Sequence, residues 1–179
     1  INIPSIKKIK KKKFKFKYIF FCGSIKYAPN NEALKILVDD ILPKVNIIDP
    51  SIKLIVSGNK SIKFKNKNLI NAGFVNKNEF YSLLKGASLF VNPMKTAFGS
   101  QVKMISALVF GKTIIASRKA ILGLDINKKN KLFITNNKSK FIGLILKNIN
   151  AIKYDDKISK LYQNKYSIKK ITMNFFKKI

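Results

Sequence analysis

The chain has no histidine, no tryptophan, one cysteine, one arginine and only 8 acidic residues among its 179. Each shortage closes off a class of chemistry. Without histidine, neither a Ser-His-Asp set nor a histidine-bearing metal site can be assembled. The lone cysteine, Cys22, excludes an internal disulfide, and its place in an apolar run marks it as a buried thiol. No apolar run approaches the roughly 20 residues that a membrane-spanning helix needs, the longest near the N-terminus being Tyr18 to Cys22. The basic run before it mimics the charged end of a signal peptide. The apolar part is too short for one, however, and no small-residue cleavage site follows, so no targeting segment is read.

What is abundant is lysine, which carries nearly all of a formal net charge of +29. Clustered lysines attract polyanions by releasing condensed counterions. Dedicated nucleic-acid readers favour arginine for bidentate contacts, however, and Arg118 stands alone. Nucleic acid is therefore disfavoured as a partner. The excess of lysine, asparagine and isoleucine is what an AT-rich coding sequence imposes on a solvated surface. Only Lys7 to Lys17 is dense, interleaved with Phe14, Phe16 and Tyr18. It reads as a basic segment or linker over residues 1–17, for which an anionic membrane surface is an open partner. Residues 18–179 read as one domain: the length suits a single core, and 46% hydrophobic residues argue against disorder. Beginning at Ile1 rather than Met, the chain reads as a fragment or a processed form.

Strand-like and helix-like patterns alternate from Tyr18 onward, the mark of an α/β domain with a Rossmann-like, doubly wound parallel sheet of about six strands and helices on both faces. Strands are expected at Tyr18 to Cys22, Ile52 to Val56, Leu69 to Val75, Ser88 to Asn92, Thr113 to Ser117 and, more weakly, Leu132 to Ile134. Asn30-Asn31 can cap a helix bearing Leu34, Leu37, Val38, Ile41 and Leu42 on one face, with Pro43 limiting it. Asn76 and Glu79 have capping-box spacing before Phe80, Leu83, Leu84 and Ala87. Val102 to Val109 forms the next helix, for which Gly111 fits a left-handed stop. Further helices are expected around Phe141 to Ile149 and after a Ser167 cap.

In such a sheet, ligands bind at the carboxyl ends of the strands. There stand Gly23-Ser24, Ser57-Gly58, Gly73-Phe74-Val75, Asn92-Pro93 and the Phe98-Gly99-Ser100 loop, small or polar residues where a ligand backbone needs close approach. A glycine-bearing loop that opens a helix after a parallel strand presents free N–H groups and a positive dipole end to an anion. The run from Phe21 through Ala28-Pro29-Asn30-Asn31 to Pro43 resembles the opening of glycosyltransferase donor domains. Asn71-Ala72-Gly73-Phe74-Val75 is similar to the Gly-Phe-Val turn of that family, and Gly99 to Leu108 with Gly111-Lys112 to its phosphate-facing loop and helix. Tyr166-Ser167-Ile168 is similar to the cap of its closing helix. The set resembles the C-terminal, donor-binding half of a GT-B-fold glycosyltransferase of family 4, or group 1.

That resemblance implies hexosyl transfer from a nucleotide-diphosphate sugar in envelope or surface-glycan synthesis, with no cofactor and no metal. Gly99, Ser100, Gln101 and Lys103 would face the diphosphate, Gly23, Ser24, Ser57 and Gly58 would approach it, and Lys26 adds a cation. Gly73, Phe74 and Val75 would flank the base. Phe98 and Ser106 occupy the positions where many retaining members carry two glutamates, which leaves the nucleotide and the stereochemical course open. The family's acceptor site and catalytic base come largely from an N-terminal domain that this sequence does not supply. The chain alone is therefore expected to bind a donor without turnover. Its expected location is cytoplasmic, with peripheral attachment to the inner membrane face as a variant. A rival reading is a noncatalytic basic module for nucleic acid or anionic membrane.

Overall fold

The structure is a computed structural model that describes residues 6, 9–96, 101–126, 131–151 and 154–166. Six strands, β1 (Tyr18–Cys22), β2 (Lys53–Ser57), β3 (Leu69–Asn71), β4 (Leu89–Asn92), β5 (Ile114–Ala116) and β6 (Leu132–Ile134), form one sheet. All pairings are parallel and the order is β3-β2-β1-β4-β5-β6. Every residue of the central strands β1 and β4 is buried, which is why they read as unbroken apolar runs rather than alternating ones. The chain moves outward from β1 to β3, then returns to β4 and moves outward the other way. That reversal opens a crevice beyond the carboxyl ends of β1 and β4.

Right-handed crossovers place the helices before and after the reversal on opposite faces. One layer holds α1 (Ala28–Lys35), a π-helix (Ile36–Ile41) and α2 (Leu42–Ile48), against which α5 (Lys138–Asn148) packs. The other holds α3 (Lys77–Gly86), α4 (Val102–Val109) and α6 (Asp156–Lys165), with α6 on α4. Aromatic rings fill this second interface: Phe20 lies 6.2 Å from Phe90 and 5.9 Å from Phe80, and Tyr81 stacks on Phe110 at 5.0 Å. Among the described residues, no helix is long and apolar enough to cross a membrane.

Several local expectations hold. Asn76 Oδ1 accepts the Glu79 N–H at 2.9 Å to start α3, Gly111 is left-handed at φ +55 after α4, and Cys22 is buried. Others change. The first helix starts at Ala28, not at an Asn30-Asn31 cap, because Pro29 fits its first turn, where a missing N–H leaves nothing unpaired. Nor does Pro43 end that helix. The preceding residues widen into the π-helix, Leu42 donating to the Leu37 carbonyl five residues back, and this makes room for the ring. The third strand stops at Asn71, so Gly73-Phe74-Val75 is loop.

Helix α6 has no counterpart in the sequence reading. Asp155 Oδ1 caps it by accepting the Ile158 N–H at 3.1 Å, and Ser159 Oγ donates to the Val109 carbonyl at 2.6 Å. It is anchored by a serine, Ile158 and Tyr162 rather than by an aliphatic stripe, so its periodicity is faint. The helix expected after Ser167 lies outside the described residues.

Candidate functional site: a glycine-lined carboxyl edge with a half-buried lysine

At the carboxyl ends of β1, β2 and β3 the backbone is stitched through glycines. The Gly23 N–H donates to the Ser57 carbonyl at 3.0 Å, and the Gly58 N–H to that of Gly73 at 2.9 Å. Asparagines lock the loops that follow. Asn59 Oδ1 accepts from the Ile25 N–H at 2.7 Å while its Nδ2 donates to the Gly23 carbonyl at 3.0 Å. Asn71 Nδ2 donates to the Asn59 carbonyl at 3.2 Å, and its Oδ1 accepts from the Gly73 N–H at 3.1 Å. Three loops that must lie close together to line a ligand are thereby held by amide side chains.

Gly23 is required by sterics. It sits at φ +145, and a Cβ there would lie 2.6 Å from Asn30 Nδ2. Asn30, buried in the first turn of α1, donates from that nitrogen to the Ser24 carbonyl at 3.0 Å. Its Oδ1 accepts from Lys103 Nζ at 2.5 Å. Lys103 thus reaches from the start of α4 to the start of α1, with its ammonium 4.9 Å from the centre of the Phe21 ring. Burial pulls its pKa down to about 8, and the neighbouring Cys22 pushes the other way. Burial likewise lifts the Cys22 thiol to about 12, which keeps it neutral and unreactive. The crevice therefore holds a partly desolvated cation whose hydrogen-bond acceptor, among the described residues, is a neutral amide.

The other sequence candidates are placed as follows. Ser57 is buried and contributes the carbonyl that Gly23 binds, while Ser24 Oγ accepts from the Lys26 N–H at 3.3 Å. Lys26 and Phe74 are exposed and Val75 is half-buried, so the turn after β3 presents an uncovered aromatic ring. Gln101 is buried before α4, where its carbonyl accepts from the Met104 and Ile105 N–H groups. Ser106 is buried and donates back to the Val102 carbonyl at 3.0 Å, within its own helix. Phe98, Gly99 and Ser100 lie outside the described residues.

Sequence reasoning missed Asn30, Asn59 and Asn71. The available signal was an asparagine beside each strand-end glycine, in Ser57-Gly58-Asn59 and Asn71-Ala72-Gly73. Asn92, named among the strand-end candidates, is fully buried at the end of β4, with neither amide atom hydrogen-bonded among the described residues.

Fold and site together define a class: a doubly wound α/β domain that offers glycine backbone, amides and a half-buried ammonium at its switch point. The chain belongs to the glycosyl transferases group 1 family, whose model matches residues 16–152, and its fold is one half of the GT-B fold. TarM of S. aureus, solved in complex with Fondaparinux, alpha-GlcNAc-glycerol and UDP, is similar at TM-score 0.72 and 18% identity, over 98% of this chain and 38% of TarM. Sucrose-phosphate synthase from Thermosynechococcus elongatus is similar at TM-score 0.66 and 13% identity, over 91% of this chain and 44% of that one. The catalytic domain of cholesterol-alpha-glucosyltransferase from Helicobacter pylori is similar at TM-score 0.57 and 17% identity, over 83% of this chain and 98% of that one. The chain thus spans less than half the length of TarM and of the synthase. No curated protein matches it.

Proposed function

We propose that the chain is the donor-binding domain of a glycosyltransferase, holding a nucleotide-diphosphate sugar for transfer to an acceptor seated on an N-terminal domain. The observation that carries this reading is Lys103, a half-buried, partly desolvated ammonium at the sheet's switch point that, among the described residues, donates to a neutral amide. When the bond between the sugar's anomeric carbon and the diphosphate breaks, its electron pair leaves with the diphosphate. A cation already in place offsets that growing charge without reorganisation. Asn30 orients Lys103 before the donor arrives, and the strand-end glycines allow phosphate oxygens to approach the main chain. The exposed Phe74 offers a face to the base. Asn92, buried with both amide atoms unpaired among the described residues, is suited to take up a donor hydroxyl. That TarM was solved with UDP supports a uridine nucleotide among the donors to try first.

Calorimetric titration with UDP, GDP and ADP, each against its monophosphate, tests the reading. A diphosphate should bind at least tenfold more tightly than its monophosphate, and Lys103→Ala should remove that preference. Absence of heat with all three diphosphates sinks it.

A second reading attaches to the opposite edge of the sheet. There Lys12 packs against α3, its N–H donating to the Ser82 carbonyl at 3.0 Å, and Phe14 stacks on Phe16 at 4.9 Å. Exposed lysines around a half-exposed aromatic pair suit an anionic bilayer surface. Vesicle co-sedimentation with and without anionic lipid decides it, since equal pelleting with neutral vesicles discards the idea.

A further inference from the structure

The structure assigns the chain a second binding site, for an organic phosphate whose apolar body fills a cavity beyond β4, β5 and β6 and whose head meets lysines at the rim. The cavity measures about 320 Å³. That lies at the small end of ligand pockets, which run from roughly 300 to 1,000 Å³. Its apolar wall is made by Ile36, Ile41, Met94 and Phe141. Of the described strand-end candidates only Pro93 lines it, and neither the glycine loops nor Lys103 does, so the inference stands apart from the diphosphate-binding reading.

The wall depends on the π-helix. Positions five apart lie about 140° apart around an α-helix of 3.6 residues per turn. Bonding from i to i+5 brings them onto one side. Ile36 and Ile41 are five apart, they are the first and last residues of the π-helix, and both face the cavity. An α-helical segment would turn one of them away. π-helical turns are rare and frequent at functional sites, and the one that makes room for Pro43 here also completes a pocket wall.

The rim supplies charge of one sign. Lys95, Lys119 and Lys138 line it, with no Asp or Glu among the lining residues. Lys95 and Lys138 are held from outside by Glu32 at 3.2 Å and Asp40 at 2.6 Å, both partly exposed pairs that an incoming dianion can outcompete. The first turn of α5 also opens on the cavity: Asn137 lines it, and its Oδ1 caps the helix by accepting from the Lys140 N–H at 2.9 Å. Point-charge ammonium groups around a helix start suit a phosphate. The buried aliphatic wall rejects a bare inorganic ion and asks for a hydrocarbon body.

The test titrates the whole chain with octyl phosphate below its micelle concentration, against inorganic phosphate and neutral octyl glucoside. Methyl resonances of Ile36, Ile41 and Met94 report the location. Octyl phosphate should bind at least tenfold more tightly than either control and shift those methyls, and saturating UDP should leave its affinity unchanged. Asn136→Trp, an exposed rim position filled by an indole, should abolish binding, and Lys119→Glu should weaken it about tenfold. Equal binding of octyl glucoside, competition by UDP, or full binding in both folded variants overturns the assignment. The last of these would place the amphiphile on the Lys10 to Lys17 surface instead.

Discussion

Two lysines stand at opposite edges of the sheet, Lys112 buried and Lys103 half-buried, and their ammonium groups meet different partners. Lys112 precedes β5 at the amino edge, where its Nζ donates to the Ala87 carbonyl and, at 3.3 Å, to that of Lys85. Both carbonyls belong to the end of α3, which a cation caps well. Lys103 at the carboxyl edge meets one side-chain amide and an aromatic ring. The first ammonium completes the fold by satisfying main-chain oxygens. The second is partly desolvated and, among the described residues, donates to a neutral amide, which is the arrangement the proposed diphosphate role calls for.

Removing each lysine should separate the two roles. Lys112→Met strands carbonyls at the end of α3 and is expected to lower stability by about 3 kcal/mol, as unfilled buried acceptors do. Denaturant unfolding measures this, and a midpoint unchanged from the parent would erase the contrast. Lys103→Ala should do the reverse. Diphosphate affinity falls by about 2 kcal/mol, the range for a hydrogen bond to a charged group, while the unfolding midpoint at neutral pH holds or rises. Loss of stability without loss of affinity would make Lys103 a second Lys112.

Acidity sharpens the comparison. With the Lys103 pKa near 8, raising the pH from 7 to 9 discharges the ammonium and should weaken diphosphate binding about tenfold. Stability moves the other way. In the unfolded chain a lysine keeps its proton to about pH 10.4, so between the two values the unfolded state binds more protons and the fold gains as pH rises. Affinity that stays flat from pH 7 to 9 would show that the cation does not meet the ligand.

The smallest expected effect comes from Gly23→Ala. The left-handed backbone and the clash with Asn30 should cost about 1–2 kcal/mol of stability. Because Asn30 must yield, diphosphate affinity should fall with it, several-fold. An unfolding loss with affinity intact would show that Asn30 does not position Lys103.

How far the sequence could be read depends on where the determining forces act. Central strands such as Tyr18–Cys22 and Leu89–Asn92 were legible because burial on both faces leaves an unbroken apolar run. The Asn76 cap and the Gly111 stop were legible because each is decided within a turn of its own helix. Helix α6 was not, since what holds it is Ser159 meeting the Val109 carbonyl, 50 residues away in sequence. The π-helix was not either, because periodicity suggested an ordinary helix ended by Pro43, whereas the chain absorbs the proline by widening.

The site divides in the same way. Lys103 was visible as a residue type following a glycine loop, but a lysine in a chain this rich in lysine carries no mark of burial. Only packing sets its ammonium against Phe21 and Asn30, 73 residues from the latter, and only that desolvation lowers its pKa. Local pattern and short-range sterics determined the strands, the caps and the parallel order of layers. The three-dimensional meeting of distant segments decided which lysine meets main-chain carbonyls, which meets a side-chain amide, and where a cavity opens beyond β4, β5 and β6, because burial belongs to the assembled surface and not to any stretch of chain.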